Sequence, residues 1–86
     1  MQKYKIGDEM ASKYKGSGHV LAAVTNGRVV GLVYIHDVLP DYDDSSSMHD
    51  LKIAANDPKM SPVVSELNAL GHVYVGICSA WELMVL

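Results

Sequence analysis

The dipeptide Asn26-Gly27 sits between two runs rich in β-branched residues, and no other feature constrains the fold as much. His19-Val20-Leu21-Ala22-Ala23-Val24-Thr25 precedes it, and Arg28-Val29-Val30-Gly31-Leu32-Val33-Tyr34-Ile35 follows it. A type I′ turn needs positive φ at both central positions, which asparagine and glycine accept at least cost. The pattern predicts a β-hairpin. Upstream, Tyr4-Lys5-Ile6 reads as a short strand ended by Gly7, and the polar stretch from Asp8 to Gly18 reads as a mobile loop or a single helical turn.

Downstream, Pro40 ends the regular run, and Asp41-Tyr42-Asp43-Asp44-Ser45-Ser46-Ser47 forms an acidic, serine-rich loop. Ser47 is placed to cap a short helix, with Asp50 in the capping-box position, and that helix should end near Asn56, before Pro58. Ser61-Pro62 predicts a second helix with serine as N-cap and proline at its first position. Val63, Val64, Leu67 and Leu70 share one of its faces, and Gly71 suits a C′ terminator. His72-Val73-Tyr74-Val75 and Trp81 to Leu86 predict two further strands. Strands in adjacent pairs outnumber helices. The expectation is an α+β fold, a small antiparallel β-sheet of short strands with two or three short helices.

The 86 residues allow one domain, or two small lobes sharing one core, and the expectation is a single domain spanning 1–86. Surface scaling predicts roughly 5,000 Å² of accessible surface for a folded chain of this mass, enough burial for an independent core. Cys78 is the single cysteine, which excludes an intrachain disulfide framework and fits a reducing cytosol. No apolar run approaches the ~18 residues of a membrane helix, and no apolar segment follows the charged N-terminus as a signal peptide requires. The formal charge of -3 is the wrong sign for a small nucleic-acid binder. It is also far too weak to imitate duplex DNA, which carries about one negative charge per 1.7 Å.

His19, His36, His49, His72 and Cys78 raise a metal reading, but no two of them lie within five positions, whereas zinc ligands come in close pairs. Scattered histidines are the better reading, with no metal and no cofactor. Gly76-Ile77-Cys78-Ser79-Ala80 lacks the paired glycines of a nucleophile elbow, and a buried free cysteine is commonly inert. Asp41, Asp43 and Asp44 lack the glycine and terminal glutamate of a calcium loop. They read as a solvated loop or as a charged patch facing a basic partner. Trp81 reads as a core anchor first and an interface residue second. In an uninterrupted strand, Val73, Val75, Ile77, Ser79 and Trp81 would share one face, burying Ser79; a bend at Gly76 or in Cys78-Ser79-Ala80 would turn Ser79 outward. Composition leaves both open.

Several motifs recur in order along the whole chain: Tyr4-Lys5-Ile6-Gly7, Leu21-Ala22-Ala23, Tyr34 with Asp37, Pro40-Asp41-Tyr42-Asp43, Val75-Gly76 and Ser79-x-Trp81-Glu82. Together they resemble the small phage-encoded type II-C anti-CRISPR proteins that cap the HNH nuclease domain of the RNA-guided Cas endonuclease. The likeness is weakest from Asp44 to Asn68. It implies a non-enzymatic inhibitor, a monomer binding one-to-one in the bacterial host cytoplasm and touching neither nucleic acid nor membrane. Such an inhibitor occludes the HNH catalytic site and prevents DNA cleavage while permitting DNA binding. The family carries a serine-cysteine pair before its terminal Trp-Glu, whose serine bonds the catalytic histidine and a metal-binding aspartate of the nuclease. Ser79 matches that serine, Ala80 stands where the cysteine would be, and Cys78 lies one residue earlier. The implied partner-binding residues are Ser79, Cys78 and Ala80, with Asp41, Asp43 and Asp44 supplying complementary charge. The alternatives are an inhibitor that blocks DNA loading or dimerises the nuclease, a small thiol- or metal-dependent enzyme using Cys78, and an interaction module with no nuclease partner.

Overall fold

The computed structural model describes residues 5–16, 18–43, 47–78 and 82–85. In chain order these form β1 (Lys5–Ile6), α1 (Asp8–Ala11), β2 (His19–Thr25), β3 (Arg28–Tyr34), α2 (Ile35–Val38), α3 (Met48–Ala55), a 3-10 turn (Pro58–Met60), α4 (Ser61–Leu70), β4 (His72–Ile77) and β5 (Glu82–Val85). One five-stranded sheet runs in the order β1-β3-β2-β4-β5. The β2–β3 hairpin forms as expected, with Asn26 at φ 53 and Gly27 at φ 76 in its turn. Pairing is antiparallel throughout except at β1, which lies parallel to β3 through Lys5↔Arg28 and Ile6↔Val29. The α+β class and the small, mainly antiparallel sheet agree with the sequence. Four α-helical segments are present where two or three were expected, because α1 and α2 are single turns.

β2 is the centre of the molecule, hydrogen-bonded on both edges and buried on both faces. On one face Leu21 and Ala23 join Val73 and Val75 of β4 beneath Ile35, Leu51, Ala55, Met60 and Leu67 from the helical segments. On the other, Val20, Ala22 and Val24 join Val29, Leu32, Tyr34 and Cys78, covered by Met10 of α1 and by Tyr14 just after it. A strand enclosed in this way must be apolar at consecutive positions rather than alternating, which is what the run from Val20 to Val24 supplies. The total accessible surface, 5,055 Å², is close to the value that chain length predicts.

A β-bulge allows β3 to serve both faces. Ala23 pairs with Gly31 but Val24 pairs with Val29, leaving Val30 as an extra residue. Val30 packs on the helical side, whereas Val29, Leu32 and Tyr34 all reach the opposite side. Strict alternation would have divided those three between the faces. Gly31 then lies directly under α4: a Cβ there would come 2.8 Å from Leu67 Cδ2 and 3.0 Å from Leu70 Cδ1.

Local chemistry explains several helix ends. Ser47 caps α3 as expected, its hydroxyl accepting from the Asp50 N–H at 3.2 Å and donating to the Asp50 carboxylate at 3.0 Å. α3 ends at Ala55 with Asn56 as its C-cap. Ser61 is not the N-cap of α4. Asp57 accepts from the Lys59 N–H at 2.8 Å and starts the 3-10 turn, which runs into the helix and leaves Ser61 already helical. Gly71 does terminate α4, but through space and not handedness. Its φ of 177 is extended backbone, and a Cβ would meet Thr25 Oγ1 and stand 2.6 Å from the Val24 carbonyl oxygen. Gly71→Ala is expected to lower stability by about 1–3 kcal/mol, the cost of overpacking against backbone that cannot move aside. Urea denaturation should show a lower midpoint with an unchanged slope.

Candidate functional site

One end of the sheet gathers the described residues nearest the sequence-predicted contacts. His19, at the start of β2, pairs with Ile77 at the end of β4. The Cys78 N–H donates to the Gly18 carbonyl at 2.8 Å. Ile77 in turn pairs with Glu82, at the start of β5. The two alternatives for Ser79, buried in a continuous strand or turned outward by a bend, fall outside the described residues, as do Ala80 and Trp81.

Cys78 belongs to the core. Its side chain is 0% exposed, and the Tyr34 hydroxyl donates to its sulfur at 3.1 Å. The same hydroxyl accepts from the Lys15 N–H at 2.7 Å, so the 12–16 segment, β3 and the end of β4 are tied through one oxygen. The Lys15 ammonium lies 4.9 Å from the centre of the Tyr34 ring and grips both Asp37 oxygens at 2.7 and 2.9 Å. That ion pair is about half exposed and contributes little by itself. The ring beneath it and the shared hydroxyl do the positioning. The expectation of Cys78 as a partner contact is therefore corrected: its thiol is enclosed by the face that Met10 and Tyr14 cover. The thiol-nucleophile reading loses its reagent for the same reason. Burial pushes the Cys78 thiol up from its ordinary value, against the lowering effect of the Tyr34 hydroxyl. A nucleophilic cysteine needs the opposite shift and some exposure.

The acidic loop reaches this same end. Tyr42 stands between Asp41 and Asp43, and its hydroxyl shares a 2.5 Å hydrogen bond with Nδ1 of the buried His19. The two rings meet at 5.5 Å with a 57° tilt. Asp41 and Asp43 are exposed, and Asp44 lies outside the described residues. Between this loop and α3 runs an open groove of about 530 Å³, lined by Asp41, Asp43, Asp50, Ile53, Asp57 and Lys59 among others. The sequence reading found the first two and missed the rest, because α3 and the loop approach only in the fold. A signal was present: Leu51 and Ala55 mark the buried face of α3 at helical spacing, and Ile53 falls on the opposite side.

The histidines do not converge. His19 is buried on Tyr42, whereas His36, His49 and His72 are exposed, and His72 stacks edge-on with Tyr74 at 4.8 Å. Among the described residues no three His, Cys, Asp or Glu side chains are grouped to hold a metal ion. No helix among them is long and apolar enough to cross a membrane. No protein-family model matches the chain, and none of the curated proteins matches it significantly.

The Tyr34–Cys78 contact has a measurable signature. Burial, and then the hydrogen bond to Cys78, raise the Tyr34 phenol from 10.0 to about 12. A raised folded-state value means stability that is complete below the unfolded value and is lost as pH climbs toward the folded one. Folding stability should fall by up to about 2–3 kcal/mol between pH 10 and 12 on this account. Tyr34→Phe should flatten that fall while costing about 1–2 kcal/mol at neutral pH, since it removes the acceptor for Lys15 and the donor for Cys78. Chemical denaturation across the pH series checks both effects.

Proposed function

We propose that the chain is a non-enzymatic inhibitor that binds the HNH domain of a type II-C RNA-guided Cas endonuclease and blocks its catalytic site. The observation that carries this reading is the meeting, at one end of the sheet, of two distant sequence segments. The paired strand ends at Ile77 and Glu82 and the loop bearing Asp41 and Asp43 are joined there through His19, which pairs with Ile77 and bonds Tyr42. The contact residue that the motif likeness assigns, Ser79, lies in sequence between those two strand ends.

The chemistry supports the assignment. An HNH site uses a histidine to activate water and a metal ion to stabilise the phosphate. A serine hydroxyl both donates and accepts, so it can engage a neutral imidazole and a carboxylate together. A site built to attract DNA has a basic surround, and Asp41, Asp43 and Asp44 offer it complementary charge. Ala80 supplies no polar contact, and the buried thiol of Cys78 does not replace the family's cysteine. The contact rests on the serine. Cleavage by the second nuclease site stops as well, because it depends on HNH repositioning. The inhibitor acts in the bacterial host cytoplasm as a monomer in a one-to-one complex.

Ser79→Ala should weaken inhibition of DNA cleavage roughly ten- to a hundredfold, the worth of a hydrogen bond to a charged group. Ser79→Arg should abolish inhibition without unfolding the protein. Full inhibition by the arginine variant sinks the assigned contact. Gel shifts run in parallel should show guide-loaded nuclease still binding target DNA at saturating inhibitor. Loss of that shift would favour an inhibitor of DNA loading instead.

A further inference from the structure

The groove between the acidic loop and α3 has a character that plugging a catalytic pocket does not require. Ile53 is 59% exposed there, although single exposed aliphatic residues are ordinary on any surface. Its setting is what distinguishes it. It lies in a concave groove of about 530 Å³, with Asp41, Asp43, Asp50 and Asp57 around it and Lys59 as the one cation among the described lining residues. Asp50 is held by the hydroxyl of Ser47, the cap of α3, and Asp57 by the cap it forms on the 3-10 turn, and these hydrogen bonds leave their charge intact. The groove therefore offers fixed negative charge around an apolar floor.

We propose that this groove docks a basic segment of the protein partner, in which lysine or arginine residues flank one aliphatic side chain that packs on Ile53. Charge decides between occupants. Nucleic acid and anionic membrane surfaces are repelled by the surrounding carboxylates. A second copy of this chain carries its own net charge of -3 and meets the same repulsion. A basic peptide segment satisfies both the carboxylates and the exposed isoleucine. Tyr42 connects the groove to His19 and so to the end of β4, making it continuous with the surface proposed to face the nuclease. Naming the HNH domain as the source of the segment rests on the function proposed above; the chemistry of the groove does not.

The test uses the full chain, isotope-labelled, and variants at two exposed positions, Ile53→Gln and Asp41→Lys, whose melting temperatures should match wild type. A synthetic pentapeptide, Lys-Arg-Leu-Lys-Arg with blocked ends, should shift the amides of Ile53, Ala54 and Asp57 first. Each variant should weaken that binding roughly tenfold. The same variants should weaken binding to an isolated type II-C HNH domain by a similar factor. Peptide shifts spread evenly over all surface carboxylates overturn the proposal, as does unchanged HNH binding by both variants. Self-association of wild type that Ile53→Gln abolishes would assign the groove to a second copy and also overturn it. If the peptide seats in the groove but wild type binds no HNH domain, the groove stands and the nuclease reading falls.

Discussion

The complete enclosure of β2 is the constraint on which the rest of the molecule depends. From Val20 to Val24 its backbone is paired on both edges and its side chains are buried on both faces, so none of those positions has a solvent-facing alternative. Buried backbone polar groups must be paired, and this strand meets that demand only while β3 and β4 stay in register beside it. The consequences reach the end of the sheet beside the acidic loop directly. Gly18 and His19, at the entrance to β2, fix the chain after β4 through the Cys78 N–H and fix the acidic loop through Tyr42. Surface segments far apart in sequence thereby inherit their positions from one buried strand.

Two of the groups that look most reactive are buried. The lone thiol is sealed beneath a tyrosine, and the one buried histidine is taken up by another tyrosine. Both phenols act as clamps, joining a polar atom in the core to a less regular segment outside it. A fold of this size has little apolar area to hold its loops, and two well-placed hydroxyls compensate at little cost in volume. The exposed side chains include the carboxylates of Asp41 and Asp43, the imidazoles of His36, His49 and His72, and the aliphatic Ile53.

The parts of the fold legible in the sequence are those set by short-range chemistry. Asn26-Gly27 determines its turn through two backbone angles, and Ser47 with Asp50 determines a helix start through a three-residue contact. Features that depend on distant neighbours were not legible. Gly71 was expected to favour its position for conformational freedom, but it is required because Val24 and Thr25 leave no room for a side chain. The parallel pairing of β1 with β3 and the cover that Met10 and Tyr14 give the second face depend on where a polar segment settles, which its own pattern does not encode. The site divides in the same way. Asp41 and Asp43 could be recognised as acidic surface, whereas their partnership with Ile53 and Asp57 exists only once α3 lies against the loop.

The bulge in β3 gives the strand slack in its length. Without Val30, the neighbours Val29 and Gly31 would continue the pairings with Val24 and Ala23 that they already make. Every remaining side chain of the strand would keep its present side, and β1 would keep its partners Arg28 and Val29. A one-residue loss at this point restores an ordinary ladder, whereas the same loss in β2 would invert the strand. The hairpin thus contains a place where evolution or an engineer can shorten the chain and forfeit only one valine's packing and the local coil of the sheet.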